Sequence, residues 1–139
     1  MNEKVVLIVG EKGEFMDGIK ALVKVIPEVR RVVHFEAFDR RLDRVTEIKP
    51  NLVILDSPQS REDYRNLLSQ LRRALPLTRI LTLVEEKTQE EKFQESGADG
   101  VLVKGFRGDL LIRTVRSLIR AGIGQDSRTN ETNDCKEGE

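Results

Sequence analysis

Residues 49–56 read Lys49-Pro50-Asn51-Leu52-Val53-Ile54-Leu55-Asp56. Four consecutive apolar residues, two of them β-branched, lie between a proline–asparagine breaker and a carboxylate. A run this short and this continuous fits a strand covered on both faces, as in a parallel sheet, better than one face of an amphipathic helix. Four other runs share the character: 5–9 (VVLIV), 32–35 (VVHF), 80–84 (ILTLV) and 101–103 (VLV). The second alternates and carries polar residues, which suits an edge strand.

Segments of helical spacing separate the runs. Phe15, Ile19, Leu22, Val23 and Ile26 recur at three and four before Pro27, and Leu42, Val45 and Ile48 form a shorter stripe closed by Pro50. Tyr64, Leu67, Leu68, Leu71 and Leu75 run to Pro76, and Leu110, Leu111, Val115, Leu118 and Ile119 run to Gly122. Between Glu85 and Ser96 only Phe93 is large and apolar, so this segment reads as a highly polar helix ending at Gly97. Strands alternating with helices at this length predict an α/β fold, a (βα)5 three-layer sandwich around a five-stranded parallel sheet. The ordered domain is expected over residues 4–121. Residues 124–139 hold no large apolar side chain and are expected to form a disordered polar tail.

Composition narrows the chemistry. One histidine (His34) and one cysteine (Cys135) in 139 residues exclude an internal disulfide, a Cys-rich zinc site and a His-based metal cluster. The 24 basic side chains balance 24 acidic ones, which argues against a broad footprint on nucleic acid. No run approaches 18 apolar residues, and the N-terminus lacks the marks of a secretion signal, so no membrane partner is expected and the location is read as cytoplasmic. No glycine-rich phosphate loop is present, because GEKGEF (10–15) has two glycines and no following Gly-Lys-Ser/Thr.

In open parallel sheets ligands sit outside the carboxyl ends of the strands. Gly10 and Glu11 follow the first run, Asp56 the third, Glu85 and Glu86 the fourth, and Lys104 the fifth. Asp56 stands out, since a carboxylate ending a buried strand is costly without a cation or hydrogen bonds. Glu11, Asp56 and Lys104 converge if their strands are neighbours. Two carboxylates and a carbonyl suit Mg²⁺, and a lysine opposite would neutralise a phosphoryl group carried on the aspartate.

Three pieces, KPNLVILD (49–56), GADGVLVKGF (97–106) and VVLIVGE (5–11), together resemble the receiver domain of bacterial two-component response regulators, the CheY-like family with its flavodoxin-like fold, nearest the NarL group. The resemblance covers residues 4–121. It implies a non-enzymatic phosphorelay module that accepts a phosphoryl group from a histidine kinase or phosphotransfer protein. Asp56 matches the phosphoacceptor and Lys104 the lysine that senses the phosphoryl group. Glu11, Asp56 and the Pro58 carbonyl match the Mg²⁺ shell. The switch hydroxyl falls on Thr82 when counted back from Lys104, and its position falls on Val84 when counted on from Asp56. The fourth helix, fifth strand and fifth helix form the usual output face, implying a possible homodimer there.

The departures imply an atypical, degenerate acidic pocket. Gly10 replaces the first of the usual pair of acids, SPQSREDY (57–64) replaces the usual loop after the aspartate, Val101 replaces an aromatic, and Gly105 replaces a proline. The alternative expectation is therefore a phosphorylation-independent pseudo-receiver acting as a protein-interaction module. His34 is expected merely to decorate an edge strand. The charges from Glu85 to Lys92 are expected to be a solvated helix face.

Overall fold

A computed structural model describes residues 3–36, 42–56, 61–86 and 97–121. The chain runs β1 (Lys4–Val9), α1 (Glu14–Lys24), β2 (Val29–Phe35), α2 (Leu42–Ile48), β3 (Leu52–Asp56), α3 (Arg61–Ala74), β4 (Arg79–Val84), β5 (Gly100–Val103) and α4 (Gly108–Ala121). The five strands pair in the order β2-β1-β3-β4-β5, all parallel. This is the expected α/β sandwich, with the alternating run at the β2 edge. The polar helix expected over 85–96 falls mainly, and the tail over 124–139 entirely, outside the described residues.

Period-two alternation builds the two faces of the sheet. Val6, Ile8, Leu52, Ile54, Leu81 and Leu83 pack with Met16, Ile19 and Val23 of α1 and with Leu111, Val115 and Ile119 of α4. Leu7, Val9, Val53, Leu55, Ile80 and Val84 face the other way, against Val45 of α2 and Leu68 and Leu71 of α3. Both layers are essentially closed to water. α1 carries Glu14 and Asp17 in its first turn and Lys24 in its last, the arrangement that its dipole favours.

The amino ends of β4 and β5 are fixed by a polar clamp. Asp99 Oδ2 accepts from Arg72 Nη2 at 2.6 Å and from the Ile80 amide at 2.8 Å, while Oδ1 accepts from Arg79 Nη1 at 3.2 Å. Arg72 also donates to the carbonyls of Thr78 and Gly97. The clamp joins α3 to both strands and sets the register that delivers Lys104 to the opposite rim.

Candidate functional site

Strand register decides which side chains meet at the carboxyl rim. Leu55 pairs with Thr82 and Asp56 with Leu83, so β4 continues one residue past Asp56 and ends at Val84. Val84 pairs with Val103, and its carbonyl accepts from the Lys104 amide at 2.8 Å. Lys104 is thus pinned by its backbone just beyond the edge strand, and its side chain reaches across β4. Its Nζ lies 2.6 Å from Asp56 Oδ1 and 2.8 Å from Glu85 Oε2. The expected convergence of Asp56 and Lys104 is present.

Thr82 lies within β4 rather than at its end. It is fully buried inside β4, opposite Leu55 and Val101, and it alternates with Ile80 and Val84 towards α2 and α3. Asp56 occupies the alternation of Leu52 and Ile54, towards α1 and α4. The hydroxyl is therefore two residues below the end of the strand, which is Val84. Glu11 is exposed in the turn after β1. Pro58 lies outside the described residues.

Gly10 shapes the floor of the pocket. A Cβ at this position would stand 2.7 Å from Asp56 Cβ and 2.5 Å from the buried Met16 Cε. The methionine tip could swing aside if it had room, but Asp56 Cβ is fixed by its strand. Position 10 therefore accepts no side chain without displacing Asp56. The Gly10 carbonyl is also engaged: it accepts from His34 Nε2 at 2.7 Å, which makes Nδ1 the acceptor facing Lys20 Nζ at 3.5 Å. His34 thus ties the edge strand to the turn beneath the site.

One aromatic covers the lysine and a second packs against the first. Lys104 Nζ sits 4.6 Å from the centroid of the Phe15 ring, and Phe15 meets Phe106 edge-to-face at 6.4 Å. Gly105 makes the turn between Lys104 and Phe106 at φ +100°, a conformation closed to the proline usual there. Partial burial by itself pulls the Lys104 pKa down, but Asp56 and Glu85 outweigh it and hold the ammonium above its usual range. Asp56 Oδ1 is buried and takes no well-angled hydrogen bond, so its contact with Lys104 is best described as an ion pair.

These residues do not add up to a divalent-cation site. Among the described residues no three His, Cys, Asp or Glu side chains converge. Gly10 brings no carboxylate, and one Asp56 oxygen already faces an ammonium. The pocket can hold charge in balance around one lysine, but it offers little uncommitted negative charge to a metal.

The sequence reading put Glu85 after the fourth strand but assigned its charge to a solvated helix face, and it missed Phe15, which it placed in a helical core stripe. Their signals were present: Glu85 directly follows a buried strand, and Phe15 is the first apolar residue after the first strand's turn.

The fold matches known structures. The response regulator of Thermotoga maritima superposes with a TM-score of 0.74 at 21% identity, covering 86% of this chain and 99% of that one. The fold is that of a response-regulator receiver domain. The isolated receiver domain of RcsB from Salmonella enterica serovar Typhimurium, solved with the phosphomimetic BeF3-, matches at 0.73 and 17% identity over 91% of this chain and 94% of that one. A CheY-like protein, tadZ, from Pseudomonas aeruginosa PAO1 matches at 0.68 and 13% over 83% of this chain and 98% of that one. No protein-family model and no curated protein matches the sequence. No helix among the described residues of this receiver fold is long and apolar enough to cross a membrane.

Proposed function

We propose that this receiver fold, a single unit over residues 4–121, is a cytoplasmic, non-enzymatic signalling module that works by protein contact rather than by accepting a phosphoryl group. The observation that carries this reading is the packing of Gly10 directly against Asp56 Cβ, which leaves no room for the second acid of a metal pocket. Lys104 supports it. The ammonium that would neutralise an incoming phosphoryl group already balances two carboxylates, and a dianion added to Asp56 would also face Glu85. Val84 at the end of β4 offers no hydroxyl to bind that group.

The test is incubation of the full chain with Mg²⁺ and acetyl phosphate, followed by intact-mass measurement, with a parallel NMR titration of Mg²⁺ and beryllofluoride. The expected result is no mass gain and no shifts centred on Glu11 and Asp56. A Mg²⁺-dependent gain of one phosphoryl group, abolished by Asp56→Asn, overturns the proposal.

One feature favours a second reading, in which a histidine kinase or phosphotransfer protein does phosphorylate Asp56. Its buried Oδ1 lacks a hydrogen-bond donor of good geometry and stands beside a lysine, as a nucleophilic carboxylate would. The same experiment separates the two readings. A homodimer through the output face is compatible with either.

A further inference from the structure

Away from the rim, α4 presents a second concentration of charge. Arg113, Arg116, Ser117 and Arg120 follow one another at three- and four-residue spacing and line an open groove of about 350 Å³. The opposite side of the helix is the apolar stripe Leu111, Val115 and Ile119, so the arginines form the outward face of a strongly amphipathic helix. Two of them are held in place from below. Glu28, in the turn before β2, offers one oxygen, Oε2, to Arg116 Nε and Nη2 at 3.3 and 2.9 Å and to Arg120 Nη2 at 3.0 Å. A guanidinium has five N–H donors, so both retain donors directed away from Glu28. Arg113 is 72% exposed and meets Asp109 only at 3.8 Å.

Three arginines against the two carboxylates of Glu28 and Asp109 leave the groove positive, and Glu28 has already restricted two of the three side chains. That restriction lowers the entropy lost when a ligand arrives. The stripe from Arg113 to Arg120 spans seven helical rises, roughly 10 Å, which is too long for one small anion to bridge. A chain bearing several carboxylates can meet all three guanidiniums, each through paired N–H···O bonds. A nucleic-acid duplex is a poorer fit, because Glu28 and Asp109 interrupt the stripe and the chain carries no net charge.

We propose that the outer face of α4 is a docking site for an acidic peptide segment of a partner protein. The site is remote from the Asp56 pocket in its residues, and it stands whether or not Asp56 is ever modified.

The test is an NMR titration of the full chain with capped octaglutamate peptide at low salt, following the arginine Nε–Hε signals and the backbone amides. The largest shifts are expected at Arg113, Arg116, Ser117 and Arg120. Affinity is expected to fall roughly threefold to tenfold in the Arg113→Gln/Arg120→Gln double variant, the loss of two exposed ion pairs. Arg107→Gln, which removes an exposed charge outside the groove, is expected to leave affinity unchanged. Shifts centred on other basic residues such as Lys12 or Arg30, or unaltered affinity in the double variant, overturn the proposal. Tighter binding of a short DNA duplex than of octaglutamate overturns it as well, as does self-association that covers the three arginines.

Discussion

The two edges of the sheet carry opposite versions of one device. At the amino edge an aspartate, Asp99, stands between two arginines; at the carboxyl edge a lysine, Lys104, stands between two carboxylates. In the amino-edge trio both Asp99 oxygens accept, and Arg72 also donates to two backbone carbonyls. The carboxyl-edge trio is left incomplete, with Asp56 Oδ1 buried and poorly hydrogen-bonded. An aspartate with both oxygens satisfied specifies geometry, whereas one with an unsatisfied buried oxygen retains capacity to react to a partner or a change of charge. The contrast separates a structural joint from a site.

Breaking the joint should cost most. Asp99→Ala leaves Arg72 and Arg79 facing each other and the Ile80 amide without its acceptor, so a loss of about 3 kcal/mol in urea denaturation is expected. If the loss were instead below about 1 kcal/mol, the amino edge would be no more essential than the rim. Gly10→Ala comes next. The added methyl collides with Asp56 Cβ and Met16, and overpacking of this kind should cost about 2 kcal/mol, read from the same denaturation curves.

Acid provides the third test, on the Glu28 anchor. Hydrogen bonds from Arg116, with further help from Arg120, hold the Glu28 carboxyl at about 2 against an ordinary 4.5. A depressed carboxyl stabilises the fold fully above its ordinary value, and that contribution is lost as pH falls through the folded value. The urea midpoint of the native chain should therefore exceed that of Glu28→Gln at neutral pH, and the gap should close between about pH 4.5 and pH 2. A gap that persists unchanged at pH 2 would show that charge is not its source. Smallest of all, Glu85→Gln should change stability by less than about 1 kcal/mol, because Glu85 is exposed, while NMR titration of Lys104 moves back towards the ordinary lysine range.

The fold was legible from the five apolar runs because burial on both faces leaves no freedom in residue type, and Asp56 and Lys104 were legible because polar residues directly after such runs must sit at the rim. What escaped the sequence depended on register and on reach. Thr82 and Val84 are both compatible with the pattern of β4, and only its pairing with Asp56 and Val103 shows which one ends the strand. Glu85 sits in an acid-rich stretch whose composition says surface, yet one long cation bends it into the site. His34 read as edge decoration because its partner is a backbone carbonyl, which carries no signature in a sequence. Asp99 lay within a recognised motif, but its two arginines come from α3 and β4, far away along the chain.

Gly10 has a consequence for how such a chain can change over generations. An acid at this position would have to displace Asp56, the residue it is meant to assist, before any benefit could appear. A single substitution there therefore costs stability before it can add charge, and a second acid requires Met16 and the strand end to give way first.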